Sequence, residues 1–191
     1  MKPVLLLCLL FFFCGCGKEA ATDRPTSTAI TEPEGIRIEF PDTPGLVRTE
    51  MRNASDKIVS TGYLLNGKKE GSWLAYGQTG LIQTITTYVD DKKEGLFMEF
   101  NYNNQLVKQY FYHNDLRHGE YKEFENANPK ELRYYEKGKQ EGIARLFYET
   151  GKMMEESYYK GGLRDGISKW YDKEGKLTIE YVYKKGELVK K

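Results

Sequence analysis

Cysteine and histidine are scarce in this chain of 191 residues, and both absences exclude classes of protein. The 3 cysteines all lie within the first 16 residues, so the rest of the chain has no disulfide framework and must be held by its core and its hydrogen bonds. Only 2 histidines are present, and the sequence contains no nucleophile motif, phosphate-binding loop or metal-binding quartet. We therefore expect no enzyme activity, no cofactor and no metal.

An excess of one charge is also lacking. Lys and Arg number 29 against 28 Asp and Glu, a net charge of +1, whereas a dedicated nucleic-acid binder normally has a basic stripe. Aromatic residues reach 14%, which excludes a wholly disordered chain. The 15 tyrosines and 19 glycines are typical of β-structure with many turns.

The chain has a single long apolar run, residues 4–13, which is too short to span a bilayer because a transmembrane helix needs about 20 residues. It follows Met1-Lys2 and fits the apolar region of a signal peptide. The next residues, Phe13-Cys14-Gly15-Cys16, resemble the lipobox of bacterial lipoproteins. That resemblance implies a signal peptide over 1–15, lipidation at Cys16, and a protein anchored to a membrane of the bacterial cell envelope by its acyl chains. The periplasmic or surface-facing side stays open, and the alternative is an ordinary signal peptide cleaved elsewhere.

Residues 16–45 predict a disordered tether. Four of the 6 prolines lie here, among several Thr and Ser residues, and such a segment lacks the apolar surface needed to offset its ordering entropy.

From residue 46 onward the sequence repeats with a period of about 24 residues. Five anchor glycines mark the repeat at spacings of 24, 24, 23 and 24: Gly71, Gly95, Gly119, Gly142 and Gly166. Nine residues after each stands a turn former: Gly80, Asn104, Asn128, Gly151 and Gly175. Pairs such as Asn66-Gly67 precede the anchors and favour hairpins, because they accept positive φ easily.

Each period therefore predicts two strands and two turns. The predicted fold is all-β: an elongated single-layer antiparallel β-meander of about twelve strands, built from hairpin repeats of about 24 residues. A degenerate unit, with a strand over 46–51 and a turn over 53–56, and a truncated unit after Gly186 complete a repeat domain over 46–191. In the short third unit, Pro129 predicts a bulge or local break, because proline cannot donate to a ladder.

The recurring pattern resembles the MORN-repeat variant of bacterial proteins, as in Tyr159 to Gly166 followed by Trp170, Tyr171 and Gly175. The resemblance covers about residues 62–191. It also implies a possible role, because some bacterial proteins with these repeats are described as the antitoxin or immunity partner of a toxin.

The anchor glycines and the tyrosines each have two interpretations. The glycines supply positive φ or bare backbone beneath an aromatic ring, or they leave room for a ligand. The tyrosines form a cross-strand ladder within the core, or they form a recognition stripe along one end of every second strand. The candidate stripe consists of Tyr110, Tyr112, Tyr134, Tyr135, Tyr158, Tyr159, Tyr181 and Tyr183.

Two further charged or polar patterns are interpreted as solvated turns. His113 and His118 flank the Asn114-Asp115 turn, and a metal would need a third ligand. The runs of Lys-Lys-Glu at 68–70 and 92–94 resemble exposed turn charges.

The function predicted from these features is a non-catalytic, lipid-anchored envelope protein whose repeat sheet binds or scaffolds an unidentified protein partner. An antitoxin or immunity protein and an envelope carbohydrate-binding module or enzyme are the alternatives. No nucleic-acid partner is expected.

Overall fold

The structure of the chain is a computed structural model that describes residues 36–190. It consists of strands and turns only, so the described part of the chain contains no helix. The fifteen strands are β1 Arg37–Glu39, β2 Leu46–Arg52, β3 Ile58–Leu65, β4 Lys68–Tyr76, β5 Ile82–Val89, β6 Lys92–Phe100, β7 Leu106–His113, β8 Leu116–Glu125, β9 Asn128–Glu136, β10 Lys139–Gln140, β11 Gly142–Phe147, β12 Met153–Lys160, β13 Leu163–Tyr171, β14 Leu177–Lys184 and β15 Glu187–Lys190.

All fifteen strands belong to one sheet in which each strand pairs antiparallel with its neighbour in the chain. The one irregularity is that β9 pairs with both β10 and β11, which Glu141 separates. The prediction of an all-β, single-layer antiparallel meander made of hairpin repeats is confirmed, with fifteen strands instead of about twelve.

The turn before each anchor glycine is a two-residue hairpin with both residues at positive φ. In the first unit these are Asn66 at 52° and Gly67 at 83°. Type I′ turns of this kind match the twist of the strands that they join, which explains why Asn, Asp and Gly recur at these positions.

The turn after each hairpin is longer and ends in a left-handed residue, such as Gly80 at 80° or Gly151 at 80°. The third unit differs, because its turn is the two-residue pair Asn126-Ala127, with φ of 51° and 66°. The prediction of a turn at Asn128 is wrong: this residue begins β9, and the shorter turn accounts for the 23-residue period. A register shift does occur opposite Pro129, between Glu123 and Phe124, but the other units have one at the equivalent place.

The sheet begins earlier than the predicted tether boundary at residue 45. β1 pairs with β2 through Arg37↔Thr49 and Glu39↔Val47, so the end of the segment predicted as disordered is part of the sheet. Pairing with β2 satisfies the amide and carbonyl groups on the side of β1 that faces it. Cys16, the predicted signal peptide and residues 17–35 of the predicted tether lie outside the described residues.

Side chains alternate between the two sides of the sheet, and the cross-strand register assigns them. Face A is the side that presents Trp73, Phe97 and Tyr121, and face B is the side that presents Leu96, Phe111 and Tyr158. Most of the buried side chains are on face A: Val47, Thr49, Trp73, Thr86, Tyr110, Tyr121, Glu131, Tyr135, Ala144, Glu155, Ser157 and Ser168. The core of this single layer is therefore built by neighbouring side chains covering one another on face A.

Candidate functional site

The eight tyrosines of the predicted stripe do not share a face. Six of them project from face A, whereas Tyr134 and Tyr158 project from face B. Adjacent residues of a strand point to opposite sides, so the pairs Tyr134-Tyr135 and Tyr158-Tyr159 are necessarily divided. A single recognition stripe of all eight residues is therefore wrong.

The face-A aromatic rings pack against one another across the central strands. Phe97 stacks on Tyr110 with ring centroids 4.5 Å apart, Tyr110 stacks on Tyr121 at 5.5 Å, and Tyr121 meets Tyr135 edge-on at 5.9 Å. Cross-strand pairs of this kind stabilise a sheet by about 0.2–1 kcal/mol each. These rings supply core packing that a second layer supplies in other folds.

Burial changes the acidity of two of these phenols. Desolvation, followed by the hydrogen bond to Tyr112, raises the pKa of Tyr110. Desolvation and the hydrogen bond that Tyr121 donates to Glu123 raise the pKa of Tyr121. Both rings are thus held as neutral phenols within the ladder.

Cations cover the rings, a feature that the sequence analysis missed. The residue two positions before the anchor glycine is Lys69, Lys93, Arg117 or Arg164 in four of the five units. Lys69 Nζ lies 4.5 Å from the Trp73 ring centroid, and Arg117 Cζ lies 5.1 Å from that of Tyr110. The interpretation of the Lys-Lys-Glu runs as solvated charge is thus wrong for Lys69 and Lys93, whereas Lys68 does form an exposed ion pair with Asp90. The fixed spacing from the anchor glycine was the available clue.

Buried carboxylates stand at the opposite end of face A. Glu155 accepts hydrogen bonds from Ser157 Oγ at 2.6 Å, Arg164 at 2.5 Å and Trp170 Nε1 at 3.0 Å. Glu131 is likewise paired with Arg133. Glu155 thus links β12 to β13, whereas Glu131 pairs within β9. Because partners satisfy both carboxylates, neither is poised for acid–base chemistry.

All five anchor glycines adopt positive φ, from 66° at Gly71 to 130° at Gly166. A side chain from the preceding strand lies over several of them on face B, as Phe111 Cβ does over Gly119 and Tyr158 Cβ over Gly166. An added Cβ at Gly166 would lie 3.0 Å from Tyr158 Cβ. The geometry at these positions thus favours the structural interpretation of the glycines over room for a ligand.

Face B exposes a line of large apolar side chains across the middle of the sheet. Phe111 is 37% exposed, Tyr134 43%, Tyr158 42% and Ile167 40%. Their cross-strand neighbours include Leu96, Ile143 and Val182. We call the following set the face-B row: Leu96, Phe111, Tyr134, Ile143, Tyr158, Ile167 and Val182.

A shallow depression of about 180 Å³ accompanies the face-B row, lined in part by Leu132, Tyr134, Ile143 and Arg145. It coincides with the region where β9 pairs with β11 through only two residue pairs, Arg145↔Leu132 and Leu146↔Glu131. Charged side chains, Glu120 and Lys122 among them, also line the depression, so a side chain of a protein partner inserted there would meet apolar and charged groups together.

The two histidines lie together but do not build a metal site. Their rings are 5.7 Å apart, and His113 Nδ1 is 2.8 Å from Glu94 Oε1. The backbone amide of Asn114 also donates to Glu94, and these hydrogen bonds lower the pKa of that carboxyl. Within residues 36–190, no three His, Cys, Asp or Glu side chains are grouped to hold a metal ion.

No helix suited to crossing a membrane occurs in the described part of the chain.

A hairpin unit of about 24 residues, repeated in register along one sheet, defines a β-repeat protein. More particularly, two segments match the family model of the MORN repeat variant, residues 140–160 and 164–185. The first covers β10 to β12 and the second covers most of β13 and β14, so each match spans successive strands of the meander. No curated protein matches the chain. The MORN repeat family is a non-enzymatic repeat module, and its repeats commonly serve in interaction and scaffolding.

Proposed function

We propose that the chain is a non-catalytic protein-interaction module that binds a folded partner through face B. The observation behind the proposal is the face-B row, whose larger members are about two-fifths exposed in the middle of the sheet. Isolated exposed apolar residues are ordinary on protein surfaces, whereas several aligned on one face mark an interaction site. Glu120 on β8, which pairs with Tyr134, divides the row into two apolar parts. The MORN-variant match supports the same class of function.

The energetics of the row fit such a role. Complete burial of a large apolar side chain contributes roughly 1.5–3 kcal/mol, and aromatic residues are enriched among those that dominate binding energy. Tyr134 and Tyr158 combine an apolar ring with a polar tip, which suits them to an interface that forms and separates in water. Because these side chains are about two-fifths exposed, covering each of them contributes roughly 0.6–1.2 kcal/mol, so a partner must cover several members of the row together.

A test of the proposal compares tyrosines on and off face B. Tyr134→Ser and Tyr158→Ser should abolish co-purification of the partner that the native chain retains, with the melting temperature measured for each variant. Tyr102→Ser is the matched control, because Tyr102 is 83% exposed in the turn after β6 and should be dispensable. Unchanged partner recovery by a folded Tyr134→Ser/Tyr158→Ser double variant would refute face B as the binding surface.

The membrane anchor forms the second part of the proposal. Acylation at Cys16, as the lipobox-like sequence suggests, would hold the module at the bacterial envelope, since each buried CH₂ contributes about 0.8 kcal/mol. We predict that Cys16→Ser moves the protein from the membrane fraction to the soluble fraction. Cys8→Ser is the matched control, since this residue lies inside the apolar run, and continued membrane partitioning of Cys16→Ser would refute the anchor.

Among residues 36–190, no contact or depression favours the antitoxin or the carbohydrate-binding hypothesis over the protein-interaction module.

A further inference from the structure

A second surface lies on face A, at the end of the strands next to the two-residue turns. Cross-strand partners there alternate between tyrosine and a cation, as in Tyr88↔Lys93, Tyr112↔Arg117 and Tyr159↔Arg164. The fourth unit has Gln140 opposite Tyr135. We call this set the cation–tyrosine row: Lys69, Tyr88, Lys93, Tyr112, Arg117, Tyr135, Gln140, Tyr159, Arg164 and Tyr183.

Three consecutive cations of the row have no acidic partner. No carboxylate of the described residues lies within 4.0 Å of the charged nitrogens of Lys69, Lys93 or Arg117, whereas Arg164 is paired with Glu155. The nearest turn carboxylates are used elsewhere: Asp91 and Asp115 accept the backbone N–H groups of Lys69 and Lys93 at 2.7 and 2.9 Å. The carboxylates of face A stand at the far end of the strands. The charged side chains of the row are therefore all cations, while the negative charges of Asp91 and Asp115 lie beside it at the turns.

The aromatic rings hold these cations in fixed places. Lys93 Nζ is 5.1 Å from the Tyr112 ring centroid, and Arg117 Cζ lies 5.1–5.7 Å from the rings of Tyr110, Tyr121 and Tyr135. A cation placed in this way has already lost part of its side-chain entropy. Among the described residues, Tyr135 engages the guanidinium of Arg117, which has further N–H donors to offer. Such preorganised donors favour an incoming carboxylate.

The spacing of the cations specifies the shape of the ligand. Equivalent cations occur on every second strand, which places them roughly 9.4–9.8 Å apart. A polyproline II helix repeats every three residues over about 9.3 Å, so every third side chain points the same way at nearly this interval. An extended β-strand presents side chains on one side at about 6.6–6.8 Å, which does not match. The edges of the tyrosine rings between the cations offer aromatic contacts of the kind that proline-rich segments use.

We propose that the cation–tyrosine row binds an acidic polypeptide segment in the polyproline II conformation, with a carboxylate at every third residue and its axis running across the strands. The carboxylates pair with Lys69, Lys93 and Arg117, and the intervening residues pack on the half-buried rings of Tyr88 and Tyr112. This site is on the opposite side of the sheet from the face-B row and does not depend on it.

The test measures fluorescence anisotropy of labelled peptides titrated with the full chain, purified in a non-ionic detergent. The probe is (Glu-Pro-Pro)5, compared with the uncharged (Gln-Pro-Pro)5 and with (Glu-Pro-Pro-Pro)5, which has the same charge at the wrong interval. We expect (Glu-Pro-Pro)5 to bind at least about tenfold more tightly than either, with affinity that falls as salt is raised. Equal affinity for the two acidic peptides would overturn the spacing argument. Tight binding of heparin without binding of the peptide would contradict the proposal and indicate that the ligand of the row is an acidic glycan.

Matched variants separate the row from general charge. The triple variant K69Q/K93Q/R117Q should lower affinity for (Glu-Pro-Pro)5 at least about tenfold. The control K68Q/K92Q/K122Q removes the same charge from side chains that project from face B, and it should bind like the native chain. K69R/K93R keeps both cations and should retain binding. The melting temperature of each variant shows whether a loss of binding comes from unfolding, since Arg117 covers rings of the core. Equal loss in the control triple would contradict the proposal, and the partner test with Tyr134 and Tyr158 is unaffected by either result.

Discussion

Residues in the left-handed backbone conformation determine where the hairpin turns form. Most of these positions are occupied by Gly, Asn or Asp, which tolerate positive φ. Ala127, at φ 66°, is an exception with a Cβ and no side-chain group to offset the strain. It stands in the short turn that distinguishes the third unit from the others.

We predict that Ala127→Gly stabilises the protein. Relief of a left-handed conformation is worth roughly 1–2 kcal/mol, and the greater freedom of glycine in the unfolded chain removes part of it, so the free energy of unfolding should rise by about 1 kcal/mol. Gly138→Ala, at φ 81° in the following turn, is the opposite control and should lower it by a similar amount. Chemical denaturation of the three proteins measures both changes, and a destabilised Ala127→Gly would contradict the turn geometry.

The buried phenols predict an alkaline limit to stability. The pKa values of Tyr110 and Tyr121 are raised by burial, so the fold favours their protonated forms. Their contribution is complete below the pKa of an unfolded tyrosine, about 10, and is lost as the pH rises above it. Denaturation midpoints measured from pH 8 upward should fall above pH ~10. Tyr110→Phe should reduce the slope, and an unchanged slope would show that ionisation of this phenol does not limit stability.

Among the strands, the register of the repeats could be predicted from the sequence. The side of the sheet on which each side chain lies could be predicted only in part. The anchor glycines and paired turn residues located most hairpins, because few residues accept those φ values. The turn of the third unit was predicted wrongly, because this unit is one residue short and its turn lies at Asn126-Ala127 instead of Asn128. Spacing alone does not show which part of a hairpin has lost a residue. β1 was missed because three residues among prolines have no periodic pattern.

The candidate site was predicted less well than the fold. Strand alternation alone separates Tyr134 from Tyr135, so the division of the stripe was available from the sequence. The cations over the rings depend on side-chain rotamers and on neighbours about 20 residues away, which a local pattern of Lys-Lys-Glu does not specify. The buried Glu155 was hidden for the same reason, since its three donors come from β12 and β13.

Unequal packing predicts unequal stability among the strands. β7 and β8 contribute Tyr110 and Tyr121 to the ladder, whereas β1 and β15 are edge strands. In a repeat array each unit is stabilised by its neighbours, so hydrogen exchange should be slowest in β7 and β8 and fastest in β1 and β15. Exchange measured on peptides from these strands checks the order, and equal protection throughout would indicate a single cooperative unit.

At the scale of the whole molecule, one sheet offers two chemically different sides. Face A is a packed ladder of aromatic rings and cations with carboxylates at one end, and face B exposes a mainly apolar row of Phe, Tyr and Ile that Glu120 interrupts on β8. A layer without a second sheet can therefore hold its core on one side and leave the other for a partner. Because the core occupies face A, the proposed binding of a partner depends on face B.

The most direct test of that claim is site-specific photo-crosslinking in intact cells, with a photoreactive phenylalanine placed at position 158 or at position 102. Position 158 lies within the face-B row, and position 102 is the more exposed control. The account predicts a discrete crosslinked protein at position 158 and none at position 102. Crosslinking at 102 alone, or none at 158 in a folded protein, would contradict it.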